Sequence, residues 1–223
     1  MTLTACSDLS AAGWIAGSDL SWWQLVTLGP SGFAAYARLR FLPDPTYEGQ
    51  SENDVSIGDD APLESAQMGA VLEVLRRHTH TPDDCYFCVW DGWGPGIDSV
   101  SLGDGTPLIY SEDVDAPPGF KPTRAEPGLA PTSPSSGPDL PKVVVPNRAY
   151  FLFRGAPSDL SDLPDPGGAA FIWPADRAWC IAHDVDPHWA GIGADTAAID
   201  QLVSHPRLDV VPADPRAPQP IYR

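Results

Sequence analysis

Two cysteine spacings carry the sharpest chemistry in this chain. Cys85-x-x-Cys88 follows His78 and His80, and Cys180-x-x-His183 repeats the same interval. Thiols and imidazoles so spaced are the ligand types of a tetrahedral zinc site. The geometry of the surrounding residues argues the other way. Zinc-binding pairs sit on tight turns, whereas positions i and i+3 of a strand point to opposite sides of a sheet, and Cys85 to Asp91 is a strand-like aromatic run. Small buried thiols are therefore expected, with no metal and no cofactor. A structural zinc would have to use Cys85, Cys88, Cys180 and His183. The same parity sets Cys180 apart from His183, so a nucleophile, base and orienter built from Cys180, His183 and Asp184 is not expected. A redox Cys-x-x-Cys opens a helix, which this one does not. The chain contains no G-x-S-x-G, P-loop, G-x-G-x-x-G or H-E-x-x-H, and so lacks the parts of the common hydrolase, nucleotide and metalloprotease sites.

Tryptophan is the other unusual feature. Of eight, Trp90, Trp93, Trp173, Trp179 and Trp189 gather in two segments beside Asp91, Asp176, Arg177 and Asp184. Trp and Arg dominate the energetic centres of interfaces, because a rigid ring covers much area at little entropic cost. Trp90, Asp91, Trp93, Arg154, Asp176, Arg177 and Trp189 are the candidate partner- or ligand-binding set, with Trp93 and Trp189 the expected surface rings. Asp176-Arg177 also reads as a turn. Arg38, Arg40 and Arg154 could share one polar face, either binding an anion or pairing internally, for instance with Asp91.

These residues need a scaffold. The chain has 223 residues, 43% hydrophobic and 19% charged, enough for a sizeable core and inconsistent with full disorder. Thirty Asp and Glu against 13 Lys and Arg leave a formal charge of −17, which repels nucleic acid and anionic membranes. Apolar runs fall far short of the roughly 20 residues needed to cross a bilayer. The first twenty residues hold no Lys or Arg and carry Asp8 and Asp19, unlike a secretory signal, so a cytoplasmic location is expected. Four cysteines are too few for a disulfide scaffold at this length.

Alternation over Phe33–Phe41 predicts a strand, and Trp22–Leu28 reads as a preceding strand joined to it by Gly29-Pro30-Ser31-Gly32. A helix is expected from Pro62, with Leu63, Ala66, Ala70, Val71, Val74 and Leu75 inward and Arg76 and Arg77 at its C-terminal end. Further strands are expected at Cys85–Asp91 and Tyr150–Phe153, then a hairpin over 171–185. Asp195 can cap a last helix with Ala198, Ile199, Leu202 and Val203 inward. Eight prolines between 114 and 141 mark 112–141 as a disordered or extended insertion, and the Pro-rich 213–223 as a loose tail. The reading is a single α+β domain over 1–223, with a mainly antiparallel sheet and two principal helices.

At Tyr36-Ala-Arg-Leu-Arg-Phe41, at Cys85-Tyr-Phe-Cys-Val-Trp-Asp-Gly-Trp-Gly94 and at Ile172-Trp-Pro-Ala-Asp-Arg-Ala-Trp-Cys180 the chain resembles an uncharacterised group of actinobacterial proteins. The resemblance implies a bacterial, cytoplasmic protein and no particular activity. Heavy use of Ala, Pro, Gly, Asp and Arg agrees with a GC-rich genome. In size, acidity and α+β pattern the chain is also similar to the immunity proteins of bacterial toxin systems, an analogy without a shared motif. The expected function is a non-enzymatic module that binds a protein partner of basic character, immunity-like or regulatory. The alternative is an enzyme or small-ligand binder with a Trp/Arg pocket near Trp90 and Arg154.

Overall fold

The computed structural model describes residues 3–56, 58, 61–91, 140–162, 168–184 and 187–223. Its centre is a nine-stranded, wholly antiparallel sheet. The strands are β1 (Thr4–Ala5), β2 (Ala35–Arg40), β3 (Cys85–Trp90), β4 (Lys142–Val145), β5 (Arg148–Gly155), β6 (Phe171–Pro174), β7 (Cys180–Ala182), β8 (Trp189–Ala194) and β9 (Val210–Pro212). They lie in the order β1-β5-β3-β6-β7-β8-β2-β9, with β4 also pairing β5. The helices are α1 (Gly13–Ala16), α2 (Trp22–Leu28), α3 (Glu64–Leu75) and α4 (Thr196–Val203). The α+β class with an antiparallel sheet is therefore as the sequence indicates. Of the Pro-rich insertion at 112–141, all but Leu140 and Pro141 lies outside the described residues.

Side-chain alternation builds a core on each face of the sheet. Ala37, Leu39, Phe87, Phe153 and Ile192 pack with α3 and α4, while Cys88, Leu152, Trp173 and Cys180 pack with Ile15 of α1 and Leu25 and Val26 of α2. The strands are consequently apolar on both sides, and Trp189–Ala194 is buried throughout. That strand, Trp-Ala-Gly-Ile-Gly-Ala, carries no alternating signal, because both of its faces are covered.

Trp22–Leu28 is a helix, not the first strand of a hairpin. Its β-prone Trp, Val and Thr are overridden at the two ends and along one side. The Ser21 hydroxyl accepts from the Gln24 N–H at 3.3 Å as an N-cap, and Gly29 ends the helix at φ 82°. Leu25, Val26 and Leu28 then press on the sheet. The approach is close because β8 offers glycines. A Cβ on Gly191 would stand 2.1 Å from the Thr27 carbonyl oxygen, and one on Gly193 would stand 2.4 Å from the Phe33 ring.

The helix expected near Pro62 is α3, but its inward face is Gln67, Val71, Leu72, Val74 and Leu75, with Leu63 and Ala66 outside. The last helix starts where the sequence puts it, the Asp195 carboxylate accepting from the Ala198 N–H at 2.6 Å. Of its four expected inward residues, Val203 alone is exposed. Asp195→Ala is expected to lower unfolding stability by about 1 kcal/mol. Urea denaturation checks this, and an unchanged midpoint would rule out the cap as a contributor.

The segment 213–223, expected as a loose tail, is tied down. Ala213 N–H donates to Tyr36 O, Trp189 Nε1 to Pro220 O, the Tyr222 hydroxyl to Pro43 O, and Arg223 N–H to Gln50 O. Its prolines cost few bonds here because these anchors fall on other residues' donors and on one proline carbonyl.

Candidate functional site

The residues singled out from the sequence do not meet at one place. Along β3, the Asp84 end and the Trp90 end lie about 20 Å apart at strand rise. Arg154 sits at the Asp84 end, holding that carboxylate at 2.6 and 2.7 Å while its guanidinium lies 5.5 Å from the Tyr86 ring centre. Asp176 is beside it and acts as a turn anchor, accepting from the Thr79 hydroxyl at 2.7 Å, the His80 N–H at 2.8 Å and the Ala178 N–H at 3.1 Å. Arg177 takes a left-handed φ of 56°, lies over Trp14 and donates to Ala11 O at 3.3 Å. Trp90 and Asp91 are at the opposite end, where Asp91 pairs with Lys142 at 3.1 Å, not with Arg154. Trp93 lies outside the described residues.

Trp189, expected at the surface, has no exposed area. It starts β8 beneath the C-terminal segment and holds the Arg38 guanidinium 5.3 Å from its ring. Arg38 and Arg40 grip Asp44, Arg38 through two bonds of 2.6 and 3.0 Å. Arg154 is on β5, five positions from β2 in the sheet order, or about 24 Å. The three arginines thus fall into two separate ion-pair groups, Arg154 with Asp84 and the Arg38/Arg40 pair with Asp44, Arg40 also holding Asp209 at 2.7 Å.

The cysteines follow strand parity. Cys85 belongs to the core beneath α3 and α4, Cys88 and Cys180 to the core beneath α1 and α2. Burial pushes the Cys85 thiol up to about 12 and raises Cys88 and Cys180 as well, so all three stay protonated. Among the described residues no group of three or more His, Cys, Asp or Glu could hold a metal ion. His78 bonds Gln201 at 3.0 Å and stands 3.6 Å from Asp195.

What the sheet does assemble is a rim at the Trp90 end. The antiparallel registers bring there the end of β3, the starts of β5 and β6, the end of β7, the start of β8 and the end of β2. Arg148 at the start of β5 lies between Trp22 at 5.2 Å and Trp90 at 4.9 Å and holds the buried Asp184 carboxylate at 3.1 and 3.3 Å. His188, its side chain 1% exposed, meets Asp44 at 3.3 Å and packs edge-on against Tyr222. Burial pushes the His188 imidazole below its ordinary pKa, against the upward pull of Asp44, and so keeps it neutral near pH 7.

Beside this rim is a recess of about 240 Å³ whose lining includes Phe41, Glu52, Glu64, Trp90, His183 and His188. His183 packs on Phe41 with ring centres 5.1 Å apart. Burial, then the charge of Glu52, pushes the Glu64 carboxyl up. The recess adjoins a larger groove of about 940 Å³ between α3 and the sheet, the two sharing Phe41, Glu64, Gly168 and His183. The groove floor includes Met68, Leu72, Leu160, Ala169 and Ile172; Glu73, Asp83 and Arg76 also line it.

Sequence reasoning found Trp90, Asp184 and His183 but missed Arg148, His188, Glu52 and Glu64. The missed residues come from four separate segments, and only the strand registers and the α3 crossing bring them together. The fold and site define an acidic α+β protein with a recess at one end of its sheet and a groove alongside α3. No family model, curated protein or solved structure matches the chain. Among the described residues no helix is long and apolar enough to cross a membrane.

Proposed function

We propose that this protein is a non-enzymatic cytoplasmic module, immunity-like or regulatory, that binds a basic protein partner by receiving an amphipathic segment in the groove between α3 and the sheet. The observation that carries the reading is the pairing of an apolar floor with an acidic border. Half-buried Phe41 and Met68 offer apolar surface above the buried Leu72 and Ile172, and Leu63 at the mouth is 75% exposed. Three carboxylates, Glu64, Glu73 and Asp83, face one guanidinium, that of Arg76, which Glu73 and Asp83 already hold. An apolar strip flanked by positive charge complements such a border, and the net charge of −17 would steer it in. The volume also fits, being at the upper end of the roughly 300–1,000 Å³ usual for binding clefts.

A synthetic Leu/Lys amphipathic helix, followed by fluorescence anisotropy, tests the reading against its Leu/Glu counterpart. The basic peptide should bind, and more weakly as salt rises. Met68→Glu and Leu63→Ser should each weaken it about tenfold, or about 1.4 kcal/mol, with near-UV circular dichroism unchanged. Equal binding of the acidic peptide, or affinity unchanged in both variants, would overturn it. The alternative of a Trp/Arg pocket is favoured by the recess alone, and there Arg148, not Arg154, stands beside Trp90.

A further inference from the structure

The geometry points to the recess beside Trp90 as a site for a single organic cation, an alkylammonium or guanidinium group, presented by the segment that occupies the groove. The inference rests on the groove reading for the source of the cation, and on the recess itself for its chemistry. At about 240 Å³ the recess is smaller than the roughly 300 Å³ lower bound of drug-sized sites, and suits one side chain or a small amine. Its wall includes the rings of Phe41, Trp90, His183 and His188, and aromatic rings attract cations through their negative faces; Trp90 already carries one such cation, the Arg148 guanidinium at 4.9 Å.

Its carboxylates supply the charge. Asp184 is held by Arg148, and Asp44 below His188 is held by Arg38 and Arg40. Glu52 and Glu64 line the recess with no ion-pair partner among the described residues. The two repel one another, and partial burial adds to the cost of ionising Glu64. A cation seated between them would relieve both effects and leave both carboxylates ionised. His188 supplies no competing positive charge near neutral pH, because burial keeps it neutral. The walls that recess and groove share at Phe41, Glu64, Gly168 and His183 put such a cation beside a segment lying in the groove.

Isothermal titration of the full chain with n-butylguanidinium and its neutral isostere n-butylurea tests the site without a peptide. The cation should bind with Kd on the order of 1 mM at low salt, and the urea at least about tenfold more weakly. Glu52→Gln and Glu64→Gln should each weaken the cation several-fold, the double variant should abolish its binding, and Glu64→Asp should retain part of it. Equal binding of cation and urea, or wild-type affinity in the double variant, would overturn the site.

The amphipathic peptide, with one lysine replaced by norleucine at each position in turn, gives the second arm. One replacement should cost markedly more than the others in the wild type and no more than they do in the Glu52→Gln/Glu64→Gln variant. Uniform losses would overturn presentation from the groove. A peptide that fails to bind while n-butylguanidinium binds would sink the groove reading and leave the cation site standing. The reverse result would sink the cation site alone.

Discussion

Gly191→Ala is expected to cost about 3 kcal/mol or more of unfolding stability, among the largest losses open to a single added methyl group. The added Cβ would lie 2.1 Å from the Thr27 oxygen, 2.6 Å from the Leu28 Cα and 3.0 Å from the Thr27 carbonyl carbon. All three atoms are backbone of the last turn of α2, so no side chain can swing aside. The helix must lift from β8, withdrawing Leu25, Val26 and Leu28 from contacts that leave each at most 3% exposed. At Gly193 the obstruction is the Phe33 ring, a side chain, and the same substitution should cost less. Gly69→Ala is the control. It sits on an outward position of α3 with nothing within 4 Å of a new Cβ, and should be neutral or stabilising by about 0.5–1 kcal/mol. Urea midpoints of the three variants check the order. A Gly191→Ala protein as stable as wild type would mean that α2 does not pack on β8 in this way.

Asp44→Ala is expected to cost about 3 kcal/mol, because it strips the partner from a buried guanidinium. The Arg38 side chain is 6% exposed and has its two terminal nitrogens on Asp44; Arg40 and His188 share the same carboxylate. Loss of Asp44 leaves Arg38 charged in the core, held only by its contact with the Trp189 ring.

The variant should also change the acid limb of stability. Partial burial pushes the Asp44 carboxyl up, but Arg38, His188 and Arg40 outweigh it and hold its pKa down at about 2, against 3.8 unperturbed. A carboxyl whose pKa is lowered by folding stabilises the fold above its unfolded pKa and loses that contribution as pH falls through the folded one. For Asp44 the window is from 3.8 down to about 2, and the contribution is on the order of 2 kcal/mol. His188 acts in the same direction from a higher starting point. Its imidazole is kept neutral by the fold, so the folded chain binds fewer protons, and stability drains as pH falls below the unfolded value near 6.5. In Asp44→Ala the loss between pH 4 and 2 should shrink while the His188 limb remains. An acid limb identical to wild type would show that Asp44 does not carry it.

The elements legible in the sequence are those whose signal is local. Strand β2 reads from alternation about Tyr36 to Arg40, and β3 and β5 from aromatic and β-branched density. The β6–β7 hairpin reads from Pro174-Ala175-Asp176-Arg177, and α4 from the Asp195 cap. Strand parity alone likewise sets Cys85 and Cys88 on opposite faces, as the two cores show.

Where two faces are buried, local pattern fails. Trp189–Ala194 has no polar side to alternate with, and Trp22–Leu28 is rich enough in β-formers to look like a strand until its caps and the glycines of β8 are put together. The order of the tail 213–223 is hidden for a related reason, since its anchors are bonds to Tyr36, Pro43, Gln50 and Trp189, residues distant in the chain.

The candidate site divides in the same way. Composition alone determined the charge of −17, because charge is a sum over residues and needs no geometry. It also determined that aromatic and acidic side chains would stand near one another in the 85–91 and 171–184 segments. Which of them meet was decided only by the sheet. Antiparallel register sent Arg154, Asp176 and Arg177 to one end and brought Arg148, Trp90, Asp184 and His188 to the other. The α3 crossing then placed Glu64 beside Glu52, completing a recess whose parts lie more than a hundred residues apart in the chain. Pairing across strands is set by the energy of the whole folded sheet, and no local stretch of sequence carries it.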